Sequence, residues 1–453
     1  MLLSPSSLLG LGLLASAVTN AFPLDERASA TPPTEDAFYS LPDNLAGASP
    51  GTILRHRKPP APISAFRFDP QNLEGSHQIL YRTTDNFGNA TATVLTVLVP
   101  HNADYGKVVS HQMAEDAPNA NCAPSYAMQL GSNDFGLFGT IVQQAELLLI
   151  DAYLAEGWVV VVPDHQGPRG EFLANQQGGY TVLDGVRAAL ASTSLTGIRA
   201  DAAVALFGYS GGSLVSGFAA EQQPSYAPEL KLAGAVLGAN VPQLLSAFDA
   251  MNKGPFSGLI PAGIGGLSIA YPAIGQLVQD QLLPQYKTKF NQARNQCSGT
   301  IILENTFTDY FAQVRNPNIF RTEPVLSVIN ANSQGQHVPR VPLFVYKAIH
   351  DEVSPVADTD ALVRFYCDGG ASVEYVRDEV STHATLAITG PTFVLPWLRR
   401  VLRGEHVADG KCSTRTVITT LADSSTAGLP KFLSSALRAL LGRPIGPAGV
   451  LRG

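Results

Sequence analysis

The chain has 453 residues, enough to bury a large core in one decorated domain or in two. Hydrophobic residues make up 45% and charged residues 15%, which excludes a chain that stays disordered. The net charge is -7 and no Lys/Arg cluster resembles a phosphate-binding stripe, which argues against nucleic acid as a partner; the acidic balance also argues against electrostatic anchoring on anionic lipid.

Leu8 to Val18 is an uncharged apolar run, too short for a comfortable membrane span. Thr19-Asn20-Ala21 supplies a small-x-small cleavage site before Phe22. Residues 1–21 are therefore expected to be a signal peptide, and the mature chain to be secreted without a transmembrane segment. Phe22 to Pro50, rich in Ala, Ser, Pro and Asp, reads as an extended arm or pro-segment.

His77 to Arg82 and Ala90 to Val99 are β-rich runs around Asp85-Asn86-Phe87-Gly88, and predict a hairpin. Asn89-Ala90-Thr91 is an N-glycosylation sequon just after that turn, which places Asn89 on the surface. Lys107 to Met113 predicts a strand. Glu146 to Glu156 has helical apolar spacing closed by Gly157. Trp158 to Val162 is an unbroken apolar run, the signature of a strand buried on both faces. A helix (Gly179 to Leu190), a strand (Val204 to Phe207), a helix (Ser213 to Glu221) and a strand (Leu232 to Leu237) follow. This alternation predicts an α/β fold with a mostly parallel sheet covered by helices.

The rhythm stops between about residues 242 and 341. It resumes with a strand (Leu343 to Tyr346), a helix (Val356 to Tyr366), a strand (Val373 to Val376) and a helix (Phe393 to Leu402). One α/β domain over 22–453 is expected, with an insertion at about 242–341. Within it, Gly254 to Gln279 carries no charge. Its prolines and small residues speak against a bilayer span, leaving a buried helical hairpin or, as expected here, a cap that offers an apolar pocket.

Four cysteines, Cys122, Cys297, Cys367 and Cys412, predict two disulfides in an oxidising compartment, with three possible connectivities. No C-x-x-C or H-x-x-x-H spacing occurs, so no metal site is expected, and no organic cofactor is implied.

The sharpest motif is Gly208-Tyr209-Ser210-Gly211-Gly212, a G-x-S-x-G between a predicted strand and a predicted helix. That setting puts a serine on a strained turn, with a helix N-terminus aiming N–H groups at a developing oxyanion. Serine needs a base to take its proton, and the chain order for such a turn is nucleophile, acid, histidine. Asp351 follows the Leu343 strand and is the preferred acid, with Glu352 its neighbouring competitor. His383 follows the Val373 strand and precedes the last predicted helix. His111, His165, His350 and His406 are worse placed. The Gly211 N–H is expected as one oxyanion donor. The second should come from the loop Ala114 to Pro118, where position alone makes Asp116 a guess.

These residues, with Pro50-Gly51-Thr52-Ile53-Leu54, Glu115-Asp116, Asn121 to Tyr126, Pro163-Asp164-His165 and Leu183 to Ala188, resemble the fungal secretory lipase family across most of 35–405. The resemblance implies an α/β-hydrolase fold with an inserted helical lid, and a triad matching Ser210, Asp351 and His383. It implies that Asp116 joins Gly211 at the oxyanion hole, and that the disulfides pair Cys122–Cys297 and Cys367–Cys412. It implies action on carboxylic esters, typically acylglycerols. The expected partner is a lipid or other ester substrate, with an oil–water interface as one place to meet it. The family's C-terminal flap helps cover the site; here Gly428 to Gly453 departs from it. A triacylglycerol lipase is the expected function. An esterase that deacylates a soluble secondary metabolite is the alternative, ahead of a peptidase or an inactive binding protein.

Overall fold

The structure is a computed structural model that describes residues 30–65, 69–136, 138–405 and 410–420. The predicted signal peptide, His406 and the Gly428 to Gly453 tail lie outside the described residues.

Ten strands make one sheet: β1 (Ile53–Arg57), β2 (Gly75–Thr84), β3 (Ala90–Val99), β4 (Asp104–Gln112), β5 (Trp158–Pro163), β6 (Ala203–Tyr209), β7 (Leu232–Gly238), β8 (Leu343–Ala348), β9 (Val373–Asp378) and β10 (Cys412–Val417). Their spatial order is β1-β2-β3-β5-β4-β6-β7-β8-β9-β10. The pairings β1·β2, β2·β3 and β3·β5 are antiparallel. From β5·β4 to β9·β10 every pairing is parallel.

Apart from the four-residue helices Pro124–Ala127 and Thr193–Thr196, the helices before β7 are α1 (Ile141–Ala155), α2 (Asn175–Ala191) and α3 (Gly211–Tyr226). Between β7 and β8 the chain leaves the sheet and builds α4 (Leu244–Met251), α5 (Leu259–Ala270), α6 (Pro272–Gln281), α7 (Pro284–Asn291), α8 (Ser298–Glu304) and α9 (Val325–Ala331). It returns through α10 (Val356–Asp368), α11 (His383–Thr389) and α12 (Pro391–Leu402).

Both sheet faces are covered, which is why β5 reads as an apolar run. Val160 and Val162 pack beneath α1 and α12, while Val159 and Val161 face α2 and α3. A third cluster lies among the inserted helices. The uncharged stretch contains α5, a buried helix, and most of α6. Its glycines permit close backbone approach: a Cβ on Gly266 would stand 2.2 Å from the Phe172 carbonyl oxygen. No helix among the described residues is long and apolar enough to cross a membrane.

Three features differ from expectation. Helix α1 starts at Ile141, earlier than its apolar spacing announces, because the buried amides of Gln143 and Gln144 bond the carbonyls of Cys122 and Ala127 in place of apolar contacts. The arm is packed from residue 30 onward: Leu45 is buried, Asp36 pairs with Arg57 at 2.7 Å, and Tyr39 Oη lies 2.8 Å from Ser125 Oγ. Strand β10 is mostly exposed and so lacks an apolar signal; β9 and a disulfide hold it.

The disulfides are Cys122–Cys297 and Cys367–Cys412. The first ties the core to the inserted helices across 175 residues. Its removal by Cys122→Ser with Cys297→Ser should cost roughly 2–5 kcal/mol, read as a fall in melting temperature. An unchanged melting curve would count against its stabilising role. Asn89 is exposed at the β2–β3 turn, where its N–H donates to Asp85 Oδ1 at 2.8 Å.

Candidate active site

Ser210 stands between β6 and α3 with φ 52° and ψ -120°. A residue with a Cβ is strained there by about 1–3 kcal/mol, so the surrounding structure must impose the turn. Two glycines allow it. A Cβ on Gly208 would meet the Gly212 carbonyl oxygen at 2.1 Å, and one on Gly212 would meet the Gln112 carbonyl oxygen at 1.9 Å.

His383 opens α11, capped by Thr382. Its Nε2 lies 2.8 Å from Ser210 Oγ, and its Nδ1 lies 2.8 Å from Asp351 Oδ2. Asp351 sits in the loop after β8, where its Oδ1 accepts from the N–H groups of Val353 and Ser354, both at 2.9 Å. Glu352 turns to a different atom of the same residue: its Oε2 accepts from the His383 backbone N–H at 2.7 Å. Ser210 and His383 are buried, and the Asp351 side chain is wholly so. Burial alone would raise the Asp351 carboxyl, but His383 and the Lys347 ammonium outweigh it and hold it well below the usual carboxylate range.

The loop after β4 brings Asp116 against Gly211, at a positive φ of 47°. A Cβ on Gly211 would stand 1.8 Å from Asp116 Oδ1. With the Gln166 amide oriented as its neighbours require, its oxygen accepts from the Asp116 N–H at 3.0 Å and its nitrogen donates to the Ala117 carbonyl at 2.7 Å. Burial, reinforced by the nearby Glu146, pushes the Asp116 carboxyl up to about 7. Burial likewise lifts Asp164 to about 7, against its bonds from Ser125. Acids raised on folding stabilise the folded state fully below the ordinary carboxylate value and lose that contribution as pH rises through about 7. The melting temperature should therefore be lower at about pH 8 than at about pH 5, and Asp116→Asn should reduce the difference, leaving the part due to Asp164. A melting temperature that rises over this range would contradict the assignment.

Beside Ser210 opens an apolar cavity of about 460 Å³. Its wall is chiefly Ile141, Ala145 and Leu149 of α1 with Ala384, Ala387 and Ile388 of α11; the inserted stretch adds Phe256, Leu259 and Ile302. The uncharged run thus contributes less to the pocket than expected. Its interior glycines face neighbouring backbone and side chains, and Leu259 is the α5 residue that reaches the cavity.

The structure also recruits residues that no motif marked. Glu146 lines the cavity, accepts from the Ala114 N–H at 2.8 Å and meets His111 Nε2 at 2.8 Å. Lys347, buried beside Asp351, stands in an otherwise apolar strand; that lone charge is the signal by which it was findable. His165 bonds the Met113 carbonyl and His350 is exposed, so neither reaches Ser210. Among the described residues no group of His, Cys, Asp or Glu could hold a metal ion.

An α/β-hydrolase sheet that presents a strained serine, a histidine and an aspartate in hydrogen-bonded series has the arrangement of a serine hydrolase. The secretory lipase family model matches residues 131–410. Lipase A of Arthroderma benhamiae is 46% identical over 92% of this chain and 89% of its own length. Lipase 1 of Candida albicans is 35% identical over 92% of this chain and 90% of its own. The crystal structure of Candida antarctica lipase A in its closed state superposes with a TM-score of 0.80 at 28% identity, covering 93% of this chain and 99% of that one. The chain belongs to the secretory lipase family.

Proposed function

We propose that the protein is a secreted triacylglycerol lipase that works through a Ser210–His383–Asp351 triad and an acyl-enzyme. Ser210 Oγ attacks the ester carbonyl carbon while its proton passes to His383 Nε2. The tetrahedral intermediate collapses, and the alcohol leaves with that proton. Water then repeats the sequence on the acyl-enzyme, releasing the acid and restoring the serine. Asp351 holds the imidazole tautomer and balances its transient charge. Gly211 and Asp116 face the developing oxyanion. The Gly211 N–H is one donor. Below about pH 7 the Asp116 carboxyl is protonated and is the second, since its N–H is engaged by Gln166.

The observation that carries the reading is the pair of 2.8 Å contacts at His383, set against an apolar cavity. Action at an oil–water interface is supported by the cavity lining, where Ile141 and Ile388 are exposed. The inserted helices then serve as the lid. Secretion is supported by the two disulfides, which persist in oxidising compartments.

The test is a chain-length series. Burying acyl chains is worth about 0.8 kcal/mol per CH₂, so kcat/KM should climb by about fourfold per methylene until the cavity is full. Emulsified triolein should then exceed soluble acetate esters. The reverse order would overturn the lipase in favour of an esterase on soluble substrates.

A further inference from the structure

Lys347 is the one charged residue of β8, and its side chain has no exposed surface. Its Nζ lies 2.9 Å from Asp351 Oδ2 and donates to the Asn240 carbonyl at 2.8 Å. Asp351 Oδ2 is the same oxygen that faces His383 Nδ1. Asn240, in the loop after β7, sits behind the serine: its Oδ1 is 2.9 Å from Ser213 Oγ, which is 2.7 Å from the Ser210 carbonyl oxygen. One ammonium thus links the acid loop, the loop after β7 and the turn that carries Ser210.

We propose that Lys347 is a positioning residue of the triad, whose ammonium shares the Asp351 carboxylate with the imidazole and so sets the lower pH limit of activity. The proposal rests on the triad reading above. When His383 takes the serine proton it becomes a second cation beside one carboxylate oxygen. Two like charges a few ångströms apart disfavour each other, so the ammonium makes the protonated imidazole less stable than a lone carboxylate would. A histidine already protonated cannot accept from Ser210; the ammonium keeps it free to lower pH.

The other ionisable groups around this centre do not duplicate the effect. Burial works against the Lys347 ammonium, while Asp351, Asp358 of α10 and Glu352 favour it; Glu352 also bonds the His383 backbone N–H. Asp116 and Glu146 stand elsewhere on the cavity wall. These carboxyls, where ionised, act in the opposite sense. The rings of Tyr209 and Tyr346 pack nearby, and burial pushes both hydroxyls up, so they stay neutral.

The experiment is kcat/KM against pH on a soluble short-chain ester for wild type, Lys347→Met, Lys347→Gln and Lys347→Arg. The acid limb should move up by about one to two pH units in the two neutral variants, a loss of about ten- to hundredfold on that limb that fades toward the plateau. Lys347→Arg should keep the limb near wild type. Limbs that coincide in all four proteins, a loss equal at every pH, or a shift just as large in Lys347→Arg would each overturn the proposal. Failure of both neutral variants to melt cooperatively would do the same, by making the lysine a purely structural residue. Ser210→Ala run in parallel separates the two readings. If it keeps turnover, the triad reading fails; if it alone is dead while the limbs coincide, only the role of Lys347 fails.

Discussion

Ser210→Ala should lower kcat by about four to six orders of magnitude while leaving the melting curve close to wild type. In the proposed mechanism the hydroxyl oxygen is the atom that bonds to carbon, and a methyl group cannot replace it. His383 Nε2, 2.8 Å away, would be left with a methyl group that has no proton to give. The fold should survive, because the strained turn at φ 52° is imposed by Gly208, Gly212 and the Ser210 N–H bond to the Gly238 carbonyl at 2.9 Å. The measurement pairs kcat on a soluble ester with fluorophosphonate labelling. Wild type should label and the variant should not. Comparable turnover in the two proteins would end the triad reading.

Asp351→Asn should lower kcat by about 10⁴-fold, and it should also destabilise the protein. The carboxylate accepts from the His383 Nδ1–H and from Lys347 at one oxygen, and from two backbone N–H groups at the other. An amide presents a donor in place of one of these acceptors. If that donor faces Nδ1, the imidazole must carry its proton on Nε2, where it cannot accept from Ser210. Lys347 loses its counter-ion while fully buried, and breaking such a pair costs roughly 3–5 kcal/mol. Glu352→Gln is the matched control. Its contact is to the His383 backbone N–H, and an amide oxygen accepts that bond as well, so kcat should stay within about tenfold of wild type. Equal losses in the two variants would mean that Asp351 has no special hold on the imidazole.

This contrast marks the limit of what could be read from sequence. Asp351 and Glu352 are adjacent in the chain and chemically alike, and each bonds His383. Which one meets the ring and which the backbone depends on how the loop after β8 approaches α11. The pairing of the sulfurs came from the family resemblance, because four cysteines by themselves allow three connectivities.

By itself the sequence determined the elements whose physics is local. A strand covered on both faces must be apolar throughout, as β5 is, and a serine held at positive φ needs glycines where a Cβ would strike backbone. The succession of strands and helices along the chain, and the glycine-flanked turn at Ser210, were legible for that reason. Tertiary structure alone decided what depends on contacts between distant segments. It made α1 and α11 the main pocket walls, turned the Asp116 N–H toward Gln166, and set the Lys347 ammonium on the carboxylate that serves His383. Residues 32 and 173 positions apart meet at that histidine. Composition and periodicity record which residues will be buried, but not which buried groups will face each other.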